Sequence, residues 1–403
     1  MRVLFVTHNV PRFDGDAAGS FVLRLAVALQ AAGVRIEILA PGAPGLAARD
    51  TREGVLVHRI RYADDADMTL AYTGTMVEQV RRTWRARVAL VGLLRALRRS
   101  TQTAVADAAR AGDPFDVVHA HWWFPAGFAL LRGLKAAPAG PARVLTMHGS
   151  DVRLARMIAP ARYLVPVVLG EYRICTVVST WLAATVQAMH KRDVARVAPM
   201  PVDVRQFSRP ESGTREGVLF VGRLNAQKGI ADLLHALAHR ALQTVTLDVV
   251  GDGPDREALG AQAAHAGIAS RIRWHGAIPQ SALVPLYQRA AVVAMPSREE
   301  GLGLVAVEAQ LCGTPVVGYA SGGLVDVVRS DAGGTLIPVG DIDALAVGLS
   351  QLTSDTAEAA RRGALAHDDM LARFSPDAVA QQYIGFYREA VAAAPAWSRA
   401  HDR

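Results

Sequence analysis

Ten short apolar runs rich in Val, Ile and Leu punctuate this chain, and segments of helical periodicity separate them. Strands of that kind, apolar on both faces, are stable only in a parallel sheet covered by helices on each side. The first five runs fall at residues 2–7, 35–40, 116–120, 143–146 and 174–178, with a helix expected at 20–32 after the first. The second five fall at 218–221, 246–250, 272–274, 292–295 and 315–318. One architecture is therefore repeated, and the expected class is α/β with two doubly wound parallel sheets.

A chain of 403 residues is long enough for two cores, and Pro199-Met-Pro-Val-Asp-Val-Arg-Gln-Phe-Ser-Arg-Pro-Glu-Ser-Gly-Thr-Arg-Glu-Gly217 has the composition of a linker between them. The expected domains are residues 1–203 and 204–376. Pro376 and Asp377 open a final amphipathic helix over about 377–394, with Val379, Tyr383, Phe386 and Tyr387 as its apolar positions, expected to cross back to the first domain. In doubly wound sheets ligands bind beyond the carboxyl ends of the strands, so two such domains facing each other place a site in the cleft between them.

Hydrophobic content of 51% with 20% charged residues is a folded composition rather than a disordered one. The two cysteines, Cys175 and Cys312, lie far apart in apolar contexts, which argues against a disulfide framework and against a thiolate metal site. The first apolar stretch is shorter than a signal peptide needs and no run is long enough to cross a bilayer, so a cytoplasmic protein is expected. The net charge of +7 calls for an anionic partner. Much of it lies in residues 76–100, where Arg81, Arg82, Arg85, Arg87, Arg95, Arg98 and Arg99 share a helical segment with Trp84 and several leucines. That is the pattern of a helix lying on an anionic membrane surface at the inner face, and equally of a core-packed helix with a solvated face. It lacks the aromatic interleaving of a nucleic-acid binder, and no nucleic acid is expected.

The chemistry concentrates in two turns of the second series. Pro296-Ser-Arg-Glu-Glu-Gly-Leu-Gly-Leu-Val-Ala-Val-Glu308 sets Glu300 and Glu308 eight positions apart around a glycine-rich turn that opens a helix. At Gly301 and Gly303 the backbone can approach a ligand closely, and the first helical N–H groups point outward unpaired. Carboxylates accept from hydroxyls while free N–H groups donate to phosphate oxygens, so the turn suits a ligand carrying both. Gly222-Arg-Leu-Asn-Ala-Gln-Lys-Gly229 sets two cations five residues apart just before a helix. Arg223 offers a fork and Lys228 a point charge to phosphate, and the flanking glycines at a strand's carboxyl end favour that role over a pair of solvated surface cations. Gly251-Asp-Gly-Pro254 is a similar tight turn.

Read together, these segments resemble the retaining, nucleotide-sugar-dependent glycosyltransferases of family 4, whose GT-B fold is a pair of Rossmann-like domains facing across a cleft. The pattern is matched by Gly222-Arg223-Leu224 with Lys228-Gly229, Gly251-Asp252-Gly253-Pro254, Pro296-Ser297, Glu300-Gly301-Leu302-Gly303, Glu308-Ala309, Gly313-Thr-Pro-Val-Val and Gly322-Gly323. In the first domain Asp116-Val-Val-His-Ala-His121 and His148-Gly-Ser-Asp151 are similar to family segments. The resemblance implies that Arg223 and Lys228 bind the donor's diphosphate, beside Gly222 and Gly251. It further implies that Glu300 and the Gly301, Leu302, Gly303 and Leu304 backbone hold the donor sugar, Glu308 the ribose, and that His148 lies beside the transferred sugar. The implied catalytic set is His148, Arg223, Lys228 and Glu300, with no metal and no cofactor beyond the nucleotide-sugar co-substrate, and with a glycan, lipid-linked or small-molecule acceptor. The loop at residues 8–20 resembles the family's glycine-rich donor and acceptor loop but departs from it. Gly15 is followed by Asp16 and the next glycine is Gly19, so Gly15 is left as the donor-side candidate, with Asp14, Asp16 and Asp151 for the acceptor. Met200-Pro201-Val202-Asp203 stands where an Asn-Gly pair is frequent.

Other readings of these residues compete. His119 and His121 alternate on a strand end without a third ligand, which favours structure over metal. Trp122, Trp123 and Phe124 either close the core or stack on an acceptor. Residues 301–306 fit a dinucleotide fingerprint with Asp326 downstream, but Glu299 and Glu300 would repel the pyrophosphate. A glycosidase would set its two carboxylates on either side of the scissile bond, whereas Glu300 and Glu308 share one turn and helix. A sugar-nucleotide epimerase, a phosphorylase on the same fold, and a non-catalytic nucleotide-sugar binding module complete the alternatives.

Overall fold

The apolar runs are buried strands: Val3, Leu4, Phe5 and Val6 are wholly inaccessible to solvent, and all six residues of Ala290–Met295 are buried. The computed structural model describes residues 1–16, 18–72, 76–131, 140–158, 160–190, 195–210 and 213–393. The chain divides into two units, the first comprising Met1–Pro201 and the stretch from Pro376 onward, the second Val202–Ser375.

The first unit carries β1 (Arg2–Val6), β2 (Arg35–Pro41), β3 (Arg49–Arg52), β4 (Val55–Ile60), β5 (Val117–His121), β6 (Ala142–Met147), β7 (Ile174–Val177) and β8 (Ala195–Val197). They form one sheet in the order β3-β4-β2-β1-β5-β6-β7-β8, parallel except for the β3–β4 pair at its edge. The second unit carries β9 (Glu216–Val221), β10 (Leu247–Val250), β11 (Ile272–Gly276), β12 (Ala290–Met295), β13 (Val316–Tyr319) and β14 (Thr335–Ile337). Their order is β11-β10-β9-β12-β13-β14, all parallel. In each sheet the order reverses beside the unit's first strand, between β1 and β5 and between β9 and β12. Crossover connections leave such a point toward opposite faces, and a crevice opens beyond the carboxyl ends of the two strands.

Helices pack a hydrophobic layer against each sheet. In the second unit Leu233, Leu234 and Leu237 of the helix Ile230–Leu237 join Leu345 and Leu349 of the helix Ile342–Ser354 against β9, β10 and β13, in one cluster of buried residues. Each such side chain, removed from water, contributes roughly 1.5–3 kcal/mol. In the first unit the C-terminal helix Pro376–Ala392 packs on the helix Ser20–Ala31 and on β6, burying Val379, Tyr383, Ile384 and Tyr387. Pro376 begins that helix where a missing N–H costs nothing.

The structure departs from the sequence reading in several places. β3, β4, β8 and β14 carry no long apolar run and were absent from the expected series; β3 is Arg-Asp-Thr-Arg, an edge strand whose ladder rather than its hydrophobicity defines it. The arginine-rich segment is two helices, Met76–Arg82 and Trp84–Arg110, because Thr83 adopts extended backbone and its hydroxyl accepts the Ala86 N–H at 3.2 Å as an N-cap. Leu93 and Leu97 face the core, whereas Trp84 is 71% exposed and Val88 60%. No helix among the described residues is long and apolar enough to cross a membrane.

The turn after β9 and the turn after β12 touch backbone to backbone at Gly229, which has a left-handed φ of 67° and where a Cβ would overlap the carbonyl oxygen of Pro296. Gly267 has nearly the same φ, 68°, and open space around it. Ala at a left-handed position costs about 1–2 kcal/mol by itself. Gly267→Ala should therefore lower the melting temperature of the second unit by about 2–8 °C, while Gly229→Ala, which adds the overlap, should lower it by at least about twice as much. Equal shifts in the two variants, measured by scanning calorimetry, would show that the turns do not depend on this contact.

Candidate functional site

Both turns at the second unit's reversal point are built by side chains that bind the opposite backbone. Asn225 caps the short helical turn Ala226–Lys228 by accepting the Lys228 N–H at 3.2 Å. Gln227 accepts the Arg298 N–H on its carbonyl at 2.8 Å and donates its side-chain amide to the Glu299 carbonyl at 3.0 Å. Arg298 in turn donates to Asp232 at 2.7 Å, and Tyr319 donates to the same carboxylate oxygen at 3.0 Å. The Gly323 N–H donates to the Glu300 carbonyl at 2.7 Å, and a Cβ at Gly322 would overlap that oxygen. Three segments are thereby locked into one floor.

On that floor the Lys228 ammonium meets the Glu300 carboxylate at 2.5 Å, with both side chains partly exposed. Arg223, from the same turn as Lys228, is exposed and its guanidinium has no partner among the described residues. The helix Leu304–Leu311 starts at Gly303, and the N–H groups of Leu302, Gly303 and Leu304 find no acceptor in the described structure. Gly222 and Gly251 bring the turns after β9 and β10 together, the Gly222 N–H donating to the Val250 carbonyl at 3.0 Å. The structure therefore assembles Arg223, Lys228, Glu300 and the free amides at one reversal point. A cation beside a carboxylate, with spare N–H donors, can hold an anion and a hydroxyl side by side.

Glu308 is deeper, at 7% exposure, and its carboxylate accepts from Gln280 at 2.7 Å and from the Tyr287 hydroxyl at 3.0 Å. Burial, together with the neighbouring Glu308 charge, raises the Tyr287 phenol well above its ordinary range, so it stays a donor. Sequence reasoning missed Gln280 and Tyr287. Their spacing of seven residues, two helical turns, carries a signal, since it sets both on one face of the helix Gln280–Arg289.

In the first unit the carboxylates expected near an acceptor turn out to be engaged. Asp151 is 2% exposed; one oxygen accepts the Trp123 N–H at 2.9 Å and the other the His148 and Gly149 N–H groups at 3.0 and 3.2 Å. Burial pushes its pKa up to about 6 against the pull of those amides. It pins the turn after β6 and leaves no oxygen facing outward. Asp16 accepts from the Arg12 backbone and side chain at 3.1 and 2.6 Å and from Ala18 at 3.1 Å. Burial alone would raise its pKa, but these bonds hold it below the usual carboxylate range. Asp14 is exposed and pairs with Arg52 at 3.1 Å. Gly15 has a left-handed φ in open space; the close approach in this loop is at Gly19, where a Cβ would overlap the Asn9 carbonyl. His148 stacks against His121, and the two rings share a hydrogen bond of 3.1 Å. Among the described residues no three His, Cys, Asp or Glu side chains are grouped to hold a metal ion.

A model of the glycosyl transferases group 1 matches residues 203–367, and one of glycosyltransferase family 4 matches residues 18–206. A 2-deoxystreptamine N-acetyl-D-glucosaminyltransferase of Streptomyces fradiae is 33% identical across 93% of this chain and 92% of its own. The chain belongs to glycosyltransferase family 4. This family 4 glycosyltransferase is also 32% identical to a D-inositol 3-phosphate glycosyltransferase of Xylanimonas cellulosilytica, over 72% of this chain and 76% of the relative. Its fold is GT-B, shared with Anabaena HepE solved in complex with UDP and glucose at a TM-score of 0.65 and 19% identity, over 96% of this chain and 100% of that one.

Four of the twelve histidines of the glycosyltransferase are held neutral. Burial lowers the His8 pKa from 6.5 to about 4 and holds His119, His121 and His148 well below the ordinary range. Below pH 6.5 the unfolded chain takes up protons at these positions and the folded protein does not, so stability present above pH 6.5 is lost as pH falls toward 4. Asp151 acts in the opposite sense, its raised pKa adding stability as pH falls from 6 toward 3.8, but it is one group against four. The melting temperature of the glycosyltransferase should fall by several degrees between pH 7 and pH 5. A melting curve that does not move over that range would mean that these rings are not buried as neutral groups.

Proposed function

We propose that this glycosyltransferase moves a sugar from a nucleotide diphosphate sugar to a hydroxyl of a small polyhydroxylated acceptor, with retention of anomeric configuration. The observation that carries the reading is the pairing of Lys228 with Glu300 at a sheet reversal point, beside Arg223 and helical N–H groups that have no partner among the described residues. Lys228 and Arg223 would take the oxygens of the departing diphosphate, with the backbone at Gly222, Gly251 and Gly15 close to it. Glu300, the Gly301 turn and the amides of Leu302, Gly303 and Leu304 would hold the sugar, and Glu308 would accept from the ribose hydroxyls. His148 would touch the transferred sugar. The glucose and UDP named for Anabaena HepE support a donor of this class. Two guanidinium and ammonium charges supply what a metal ion provides in other phosphate chemistry, and no metal or further cofactor is proposed.

Glu300 is paired with Lys228, Glu308 accepts from Gln280 and Tyr287, and the two belong to one turn and the helix it opens rather than facing each other as a glycosidase pair would. We therefore assign no protein nucleophile; the leaving phosphate takes the acceptor's proton on the face from which it departs. The printed activities of the Streptomyces fradiae and Xylanimonas cellulosilytica relatives name 2-deoxystreptamine and inositol 3-phosphate, both cyclic polyols, which supports an acceptor of that kind.

Charge-assisted contacts to the leaving diphosphate contribute about 1.5–3 kcal/mol each, so Lys228→Ala and Arg223→Ala should each lower kcat roughly tenfold to a hundredfold. The donor is found first by thermal shift against UDP-, GDP-, ADP- and TDP-sugars, and the product anomer is then read by proton NMR. Wild-type turnover in the double variant would remove the phosphate assignment, and an inverted product would remove retention. Conversion of the sugar nucleotide without acceptor would point to an epimerase.

One surface favours a second feature, a cytoplasmic enzyme resting on the inner face of an anionic membrane. Trp84, Val88 and Val91 are exposed on the same helix as exposed Arg95, Arg98 and Arg99, for which no partner is present among the described residues. Sedimentation with phosphatidylglycerol vesicles should exceed that with phosphatidylcholine vesicles, and Trp84→Ala should weaken it. Equal sedimentation with both lipids would count against this placement.

A further inference from the structure

Glu308 is gripped by two donors that differ in their access to water. Tyr287, wholly inaccessible, donates its hydroxyl to Oε2 at 3.0 Å, and the exposed Gln280 donates its side-chain amide to Oε1 at 2.7 Å. The carboxylate is thus held from the interior on one oxygen and from the exposed side on the other. Both donors stand on one face of the helix Gln280–Arg289, which packs beside the helix Leu304–Leu311 that carries Glu308.

The topology sets this grip at the carboxyl ends of the strands. Only Ala277, Ile278 and Pro279 separate β11 from Gln280, so Gln280 stands at the rim of the sheet. The Gly251 N–H ties that rim to the turn after β10 by donating to the Gly276 carbonyl at 2.8 Å. Glu308 lies in the second turn of its helix, where a long side chain leans back toward the helix N-terminus and so toward the glycine turn that carries Glu300. Tyr287 is itself fixed at both ends. Its ring packs on Phe207 at 6.1 Å, and its carbonyl accepts the Thr314 hydroxyl at 2.6 Å. The Thr314 N–H donates to the Ala309 carbonyl at 3.0 Å, which braces Tyr287 against the helix that carries Glu308. A contact that merely joined two helices would need no carboxylate, because apolar side chains of similar volume join them at least as well without the cost of burying a charge. Donors on both oxygens stop the carboxylate turning, and that sets the directions in which it accepts from a further hydroxyl.

We infer that Tyr287 and Gln280 are positioning residues for recognition of the nucleotide's ribose: they fix the plane in which Glu308 accepts from the ribose hydroxyls, and so select a ribonucleotide over its deoxy forms. The inference rests on the proposed contact between Glu308 and the ribose. A site built to bind a hydroxyl rejects the ligand that lacks it. Tyr287→Phe and Gln280→Met each remove one donor and keep the volume of the side chain. Whichever of UDP, GDP and ADP binds the wild-type protein best is titrated calorimetrically in its ribo, 2′-deoxy and 3′-deoxy forms. One charge-assisted hydrogen bond is worth about tenfold to a hundredfold in Kd, so the wild-type protein should bind the ribo form that much more tightly than at least one deoxy form. Each variant should weaken the ribo form to within about threefold of that deoxy form, whose own Kd should stay within about twofold of the wild-type value and so report an intact site. A ribo-to-deoxy preference kept at the wild-type ratio, whether the affinities hold or fall together, would overturn the inference for the residue replaced. Equal affinities for all three forms in the wild-type protein would instead remove the contact between Glu308 and the ribose on which the inference stands, whatever the variants do.

Discussion

Lys228 and Glu300 are separated by 72 residues of chain, yet their charges meet at 2.5 Å. That distance depends on two backbones being able to touch. β9 and β12 are hydrogen-bonded neighbours, and the turns that follow them lie against each other because Gly229 has no Cβ to strike the Pro296 carbonyl. Gln227 and Arg298 then fasten one turn to the other, and Gly322 admits the third turn to the Glu300 carbonyl. A charged pair on loose loops would be worth little, since side-chain entropy and water cancel most of its attraction. Here the backbone supplies the order beforehand, and the ion pair can be exchanged for a ligand without rebuilding the floor.

The same position in the first unit is built from different chemistry. β5 and the turns after β1 and β6 bring together four histidines, His119 and His121 buried and His8 and His148 half-buried, each held neutral, rather than opposed charges. Burying an imidazolium there would cost several kcal/mol, and among the described residues no carboxylate faces the rings to offset it except Asp151, whose oxygens are already bound to three amides. The first unit therefore presents oriented neutral donors and acceptors, while the second presents charge. Those are the properties wanted for hydroxyls and for a diphosphate respectively.

What could be read from the chain follows from which forces are local. Doubly covered parallel strands must be apolar on both faces, so β1, β5, β9 and β12 are visible as runs, and the glycine turn before Leu304–Leu311 is visible because only glycine tolerates its backbone. β3 is invisible for the complementary reason: at the edge of the sheet it buries little, and pairing with β4 is a tertiary event. The break at Thr83 has a local signature, a threonine accepting from the third residue beyond, but the arginine pattern runs through it unaltered. The direction of a turn carboxylate depends on the conformation of its whole loop, even where its partners are near in sequence. Asp14, Asp16 and Asp151 look alike in sequence, and nearby N–H groups turn two of them inward, leaving Asp14 outside. Gln280 and Tyr287 were hidden because Pro285 interrupts the apolar pattern of their helix, which forms nonetheless.

The Lys228–Glu300 pair also bears on how such a site could release its product. Two unopposed cations would hold a nucleoside diphosphate after transfer at least as tightly as the donor before it, and binding that is equal in every state does not speed a reaction. With Glu300 alongside, the ammonium has a competing anion. On the proposed reading, a bound sugar occupies Glu300 with its hydroxyls and leaves Lys228 to the diphosphate, and once the sugar has moved to the acceptor Glu300 returns to Lys228. The cation is then most available when charge develops on the leaving phosphate and least available when the nucleotide must depart. Arg223, which has no such counterpart among the described residues, would provide the constant part of the grip, so that one cation is tethered to a carboxylate and the other is not.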